Sequence, residues 1–136
     1  MLHYILDTNI ISELARKQPN NGVLEFMAST PRLKLSVIAF HELTFGVNSA
    51  PESQKYHLTH FLAKMRERFG SESIAVDLSI SETAGRLRSF TLSQGRILCV
   101  ADSLMAATAM LKDATLVTRN IKDFVRLDVP LLNPFS

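Results

Sequence analysis

The stretch His3-Tyr4-Ile5-Leu6-Asp7-Thr8-Asn9-Ile10-Ile11-Ser12 decides the fold. An apolar run stops abruptly at Asp-Thr-Asn, and apolar residues then resume at helical spacing. That order reads as a buried strand, a polar turn and a helix. In an open α/β sheet the ligand crevice lies beyond the carboxyl ends of the strands, and Asp7 stands at that end of the first strand. Alone, Asp7 is equally a turn-and-cap residue. It becomes part of a site only if later strands deliver partners to the same edge.

The pattern does repeat along the chain. Strands are expected over residues 2–6, 33–36, 74–76, 114–118 and 129–132. Between them lie helical patterns over residues 10–14, 23–28, 37–47, 51–69 and 100–111, with another from Ser79 or Ser81 to Ser93 and a short turn over 121–125. Thr8 or Asn9 is the expected cap of the first helix and Ser36 that of the third. Leu58, Phe61, Leu62, Met65 and Phe69 form the stripe of the long amphipathic helix, which Gly70 should end. Short apolar strands alternating with helices imply an α/β fold, a central parallel sheet of four to five short strands flanked by helices. Right-handed crossovers bring the strand ends to one edge.

The chain of 136 residues reads as a single domain, residues 1–136. Its 46% hydrophobic and 21% charged composition is that of a folded globular protein. The net charge of +2 is compatible with a nucleic-acid partner without arguing for one. Cys99 is the only cysteine, so no intrachain disulfide can form; its apolar context reads as a small core residue. With neither a signal peptide nor an apolar run near the roughly 20 residues of a membrane span, the expected location is the cytoplasm.

Four acidic residues stand out. Asp7 follows the first strand. Glu42 lies in Val37-Ile38-Ala39-Phe40-His41-Glu42-Leu43-Thr44-Phe45-Gly46-Val47, a helix so apolar that it reads as buried nearly all round. An unpaired Glu there would carry a heavy desolvation cost, so it needs a cation or a hydrogen-bond network. Asp102 sits in the first turn of the helix beginning Val100-Ala101-Asp102-Ser103, where the helix dipole alone would favour it. Asp123 follows the fourth strand in Thr118-Arg119-Asn120-Ile121-Lys122-Asp123-Phe124 and would pass for a surface residue in isolation. Together the four repel one another unless a cation joins them or some stay protonated.

Oxygen ligands without a His or Cys cluster point to Mg²⁺, with Mn²⁺ as a substitute, and not to zinc. His57 and His60 fall three apart on a solvated helix face, and His41 points away from Glu42. Hard divalent ions held by carboxylates serve phosphate chemistry. A P-loop, GxGxxG and nucleophile elbow are all missing, which leaves phosphodiester hydrolysis as the natural candidate.

These stretches, in this order and at this spacing, resemble the PIN-domain family, and within it the VapC-type toxins of type II toxin–antitoxin (VapBC) pairs. The closing Pro130-Leu131-Leu132-Asn133-Pro134 matches too, so the resemblance covers nearly the whole chain. Met105-Ala106-Ala107 departs mildly from the more usual Ile-Ala-Ala. The resemblance implies a PIN-like three-layer sandwich and a metal-dependent endoribonuclease acting on RNA, tRNA or another structured RNA, through a water held on Mg²⁺. It implies a homodimer and a cognate VapB-type antitoxin. By motif position Asp7, Glu42 and Asp102 match three acidic site positions. Some relatives carry an acid where Asn120 stands; others have Asn there and an acid at the position of Asp123, the pattern followed here. Asp7 and Asp102 would hold the ion directly, Glu42 and Asp123 through water or with a second ion. Thr8, Asn9, Ser36, Thr118 and Asn120 would orient the carboxylates.

Arg86, Arg88, Arg96 and Arg119, with Lys122 and Arg126, are candidates to meet RNA phosphates or acidic groups of an antitoxin. Two rivals stand beside the ribonuclease. One is a catalytically silent PIN-like binding module, against which the four retained acids argue. The other is a metal-dependent phosphatase-like α/β domain, which would want a second Asp where Asn9 stands.

Overall fold

The structure is a computed structural model that describes residues 3–136. Ile5 and Leu6, wholly buried, form with Tyr4 the strand β1 (Tyr4–Leu6). Leu116 and Val117, equally buried, belong to β3 (Thr115–Val117). These two pair in parallel at the centre, with Leu6 opposite Val117. β2 (Leu33–Lys34) and β4 (Leu131–Leu132) add one on each side, giving four parallel strands in the order β2-β1-β3-β4. A strand buried on both faces must be apolar at successive positions, which is why Ile5-Leu6 and Leu116-Val117 lack a polar alternation.

The strand expected over 74–76 does not form. Ile74 makes only a parallel bridge to Ser36, its N–H donating to the Leu35 carbonyl at 2.8 Å. The chain then turns into a helix at Asp77. Leu2 lies outside the described residues. The expected sheet of four to five strands is therefore four, with one isolated bridge beyond β2.

Seven helices, α1 (Thr8–Leu14), α2 (Asn21–Ser29), α3 (Val37–Asn48), α4 (Glu52–Phe69), α5 (Leu78–Ser93), α6 (Val100–Leu111) and α7 (Ile121–Phe124), connect and flank the strands among the described residues. α6 lies against β1 and β3 through the buried Met105, Ala106 and Ala109. Small residues there let its backbone approach the sheet closely. α5 packs outside α6, with Ile80 and Ala84 against Ala107. Among the described residues no helix is long and apolar enough to cross a membrane.

Several local expectations are corrected. Asp7 itself, and not Thr8 or Asn9, caps α1, accepting from the Thr8 N–H at 2.7 Å. Asp77, and not Ser79 or Ser81, caps α5, accepting from the Ile80 N–H at 2.9 Å; a carboxylate outcompetes a hydroxyl for a helix N-terminus with its partial positive charge. α4 does end where expected, with Gly70 as its C-cap, although the glycine keeps right-handed backbone and opens a 3₁₀ turn over Gly70–Glu72. α3 is not buried all round: Ala39 and Leu43 face the core, while Phe45 is 70% exposed. Cys99 is exposed, its thiol accepting from the Asp102 N–H at the start of α6. Its apolar neighbours Ile97 and Val100 are themselves exposed, so local hydrophobicity misreads burial there.

Candidate metal centre

From β1 the chain moves to one side of the sheet to form β2, and the strand on the other side of β1 is β3. The order reverses between β1 and β3, and such a switch point opens a crevice at the carboxyl ends of the two strands. The residues just beyond those ends are Asp7 and Thr118. The Asp7 N–H continues the ladder to the Val117 carbonyl at 2.9 Å. In the crevice Asp7, Thr8, Asn9, Glu42, Asp102, Arg119 and Asn120 line one cleft of about 610 Å³. The end of β1 and the helices α3 and α6 thus bring three of the four expected acids, Asp7, Glu42 and Asp102, to one cleft.

Asp7 is the most constrained of the acids, 5% exposed. Thr118 Oγ1 donates to its Oδ2 at 2.8 Å and Asn9 Nδ2 to the same oxygen at 3.2 Å. Asn9 is held in turn by the Arg119 N–H, which donates to Asn9 Oδ1 at 3.3 Å. The Asn120 N–H donates to Thr118 Oγ1 at 3.0 Å, fixing the hydroxyl that serves Asp7. Thr8 Oγ1 donates to Glu42 Oε1 at 2.6 Å, tying α1 to α3. Thr8, Asn9, Thr118 and Asn120 therefore stand where a supporting shell is expected.

Burial pushes the Asp7 carboxyl up from 3.8 to about 6. The Thr118 hydrogen bond opposes that shift, while Asp102 and Glu42 add to it. Asp102 is also raised, chiefly by burial, then by the charges of Asp123 and Glu42. Like charges thus couple all four acids, although Asp123 is exposed and lines a neighbouring hollow with Asp102 instead of the main cleft. Asn120, in contrast, lines the main cleft itself.

The donor set fits a hard divalent ion. All the acidic ligands are carboxylates, and among the described residues no ion pair joins Asp7, Glu42, Asp102 or Asp123 to a Lys or Arg. Equally, no three His, Cys, Asp or Glu side chains of the described residues already converge on one point. Mutual repulsion keeps uncompensated carboxylates apart. An ion that keeps several of its waters and takes only one or two carboxylates directly suits such a site.

Other expected residues lie elsewhere. Ser36 is buried, but it does not line the cleft; its hydroxyl accepts from the Ile38 N–H at 3.0 Å as the cap of α3. Arg88 Nε donates to the Leu98 carbonyl at 3.3 Å, a tie from α5 to the following loop. Arg86 donates to Thr83 Oγ1 at 3.2 Å on the exposed side of its own helix. Arg119 does line the cleft, its guanidinium 4.6 Å from the centre of the Phe135 ring. Arg96 lines the hollow beside Asp102. Ser12, Glu13 and Arg16 of α1 and its C-terminal end also line the main cleft and were missed. Their signal was in the sequence: Thr8 and Ser12, like Asn9, Glu13 and Arg16, repeat at helical spacing. Glu13 is buried, accepting from the Asn20 N–H at 2.8 Å and facing Arg16 at 3.4 Å.

The model of the PIN domain family matches residues 4–130. Toxin FitB of Neisseria gonorrhoeae is 30% identical over 135 residues, 96% of this chain and 97% of that protein. Ribonuclease VapC2 of Rickettsia felis is 33% identical over 128 residues, 91% of each. Among solved structures, the FitAcB crystal structure from N. gonorrhoeae superposes with a TM-score of 0.85 at 30% identity, covering 96% of this chain and 97% of the other. VapBC2 of R. felis, bound to a DNA fragment from its promoter, superposes with a TM-score of 0.82 at 30% identity, covering 99% and 100%.

Proposed function

Because the chain belongs to the PIN-domain family, we propose that it hydrolyses RNA phosphodiesters with Mg²⁺ held by Asp7, Glu42 and Asp102, Asp123 completing the site. It is a nuclease of the VapC type, the toxin of a toxin–antitoxin system. The observation that carries the finer reading is Asp7: a buried carboxyl at the sheet's switch point, raised to about 6, beside two further acids and, among the described residues, in no ion pair with a Lys or Arg.

When bound, the ion would lower the pKa of a water and neutralise charge on the phosphoryl oxygens. The chain's own residues prepare that chemistry. Thr118 and Asn9 orient Asp7 Oδ2, leaving the carboxylate little freedom. Thr8 holds Glu42 Oε1 toward the cleft. Asp102, in the first turn of α6, enters from the opposite element. Arg119 and Arg16 border the cleft and supply positive charge for the RNA backbone. A hydroxyl and an amide on one carboxylate oxygen fix its position before substrate arrives, which reduces reorganisation during the reaction.

The partners proposed are a structured RNA such as tRNA, a VapB-type antitoxin, and a second copy of the chain in a cytoplasmic homodimer. An apolar groove of about 170 Å³ supports the antitoxin; Ala15, Leu43, Val47, Leu58 and Phe61 line it, and it opens beside Glu42. Phe45 on α3 and Tyr56 on α4 stay exposed, and apolar surface of this kind marks a protein interface. The deciding experiment incubates purified chain with total RNA and maps the new ends by sequencing. Discrete cleavage with Mg²⁺ or Mn²⁺, abolished by EDTA and by Asp7→Asn, is expected. Cleavage that survives both would sink the proposal.

A further inference from the structure

The closing stretch Leu132-Asn133-Pro134-Phe135-Ser136 has no part in the chemistry above, yet it leaves the sheet at the same edge as the site. β4 runs parallel to β3, and the Leu132 carbonyl accepts from the Thr118 N–H at 2.9 Å. Just beyond, Asn133 Oδ1 accepts from the Phe135 N–H at 3.0 Å. That is an Asx turn, with the fixed φ of Pro134 at its centre. It carries the Phe135 ring to Arg119, whose guanidinium lies 4.6 Å from the ring centre. Phe135 is half-buried and packs against the core, while Arg119 is exposed and lines the main cleft. Among the described residues the Arg119 side chain enters no hydrogen bond or ion pair. Its N–H donors are therefore open to the cleft.

The ring is itself held from the far side. The Ser136 N–H donates to Asn20 Oδ1 at 3.0 Å, and Asn20 Nδ2 donates back to the Ser136 carbonyl at 3.2 Å. The Asn20 N–H donates to Glu13 Oε2 at 2.8 Å, and Glu13 Oε1 faces Arg16 Nη1 at 3.4 Å. Both arginines lining the cleft thus trace back to one residue at the start of α2. Arg16 is reached through Glu13, and Arg119 through Ser136 and Phe135. A long side chain loses rotamer freedom when it grips a ligand. A ring that already carries the charge removes part of that loss.

We propose that Phe135 is a positioning residue for RNA binding, its ring setting Arg119 to meet a substrate phosphate in the cleft. The proposal rests on the ribonuclease reading above, and it gives Phe135 no contact with the reacting atoms. The Arg119 backbone has a separate task, since its N–H holds Asn9 and Asn9 holds Asp7. The side chain and the backbone of one residue therefore serve substrate and metal site respectively, and the two can be tested apart.

The substrate is a short RNA spanning a mapped cut, assayed with the full chain. Arg119→Gln should lower kcat/KM about tenfold, mainly through KM. Phe135→Leu keeps an apolar side chain against the core and removes the ring face. It should lower kcat/KM about two- to fivefold, again through KM, and Phe135→Tyr should restore the loss. In the Arg119→Gln background, Phe135→Leu should cost nothing further. A readout without turnover is RNA binding in the Asp7→Asn background, where Phe135→Leu should weaken affinity by a similar factor. Mn²⁺ affinity by calorimetry should not change in Phe135→Leu, because the bonds that orient Asp7 draw only on the backbone at positions 119 and 120. An unchanged KM in Phe135→Leu overturns the proposal. So do equal losses in both Arg119 backgrounds, or Mn²⁺ affinity falling together with RNA affinity, since either would make the ring ordinary packing. If the unmodified chain cuts no RNA under any condition, the ribonuclease reading fails instead, an outcome distinguishable from cleavage that is indifferent to Phe135.

Discussion

Thr118 Oγ1 and Asp7 Oδ2 meet at 2.8 Å in a buried hydrogen bond that joins the ends of two adjacent parallel strands. The register places both residues one step beyond the paired strand residues, where their N–H groups still bond the Val117 and Leu132 carbonyls and hold the backbone in place. Thr118→Val keeps the shape and removes the donor. The carboxylate then loses the strongest influence that favours its charge, and the apparent pKa of Asp7 should rise above about 6. The expected cost at neutral pH is about 1–3 kcal/mol of stability, with weaker Mn²⁺ binding by calorimetry. Thr118→Ser should restore most of both; an unchanged Mn²⁺ affinity in Thr118→Val would refute the orienting role.

The raised pKa of Asp7 makes a signed prediction about pH. A carboxyl at about 6 in the fold and 3.8 outside it holds its proton more tightly when folded. Its contribution to stability is therefore full below pH 3.8 and is lost as pH rises through about 6. At neutral pH the metal-free protein carries a penalty of at most roughly 3 kcal/mol from this group. Asp7→Asn removes it, so the Tm of Asp7→Asn minus that of the unmodified chain should grow more positive from about pH 4 to about pH 7. Saturating Mg²⁺ should shrink that difference, since the ion requires Asp7 ionised. A difference independent of pH would mean that Asp7 is not raised.

Which parts of this site the sequence discloses follows from how many jobs each residue has. Asp7, Glu42 and Asp102 are legible because each interrupts an apolar context, and the strand order brings all three to one cleft. Ser36 looked identical to Thr8 as a supporting hydroxyl, but one accepts from a helix N–H and the other reaches Glu42; only three-dimensional placement separates them. Arg88 and Arg96 were indistinguishable as basic residues near Asp102. A carbonyl engages the first, and the second has donors to spare. The third strand failed for a different reason: Asp77 caps a helix so soon after Ile74 that no ladder has room to form.

Gly22 offers a check on the packing of the C-terminal tail. A Cβ there would lie 2.2 Å from the Pro134 carbonyl oxygen and 2.8 Å from the Ser136 N. Both are backbone atoms and cannot swing aside. The tail is also held by Asn20, whose Oδ1 caps α2 and accepts from the Ser136 N–H at 3.0 Å. Gly22→Ala should displace the tail and cost about 1–3 kcal/mol. Gly85→Ala, in α5 with nothing within 4 Å of its Cβ, should instead stabilise by about 1 kcal/mol through helix propensity. Thermal melts of the two variants should move in opposite directions; equal shifts would refute the close approach.

Asp102 separates a ligand from a helix cap. It lies in the first turn of α6, where the helix dipole favours a negative charge by about 0.3–1 kcal/mol. Yet burial and the charges of Asp123 and Glu42 raise its pKa, so on balance the surroundings oppose ionisation. Its backbone N–H donates to the Cys99 sulfur, and the one side-chain bond that favours its charge, from the Cys99 thiol, is outweighed by burial. Asp102→Asn should therefore leave the melting temperature of the metal-free protein unchanged or raise it, while abolishing both RNA cleavage and the stabilisation by Mg²⁺. The two readouts pull in opposite directions only if the carboxylate is held there for a cation. A fall of several degrees in the metal-free melt would show that the charge serves the helix, and Asp102 would lose its place in the site.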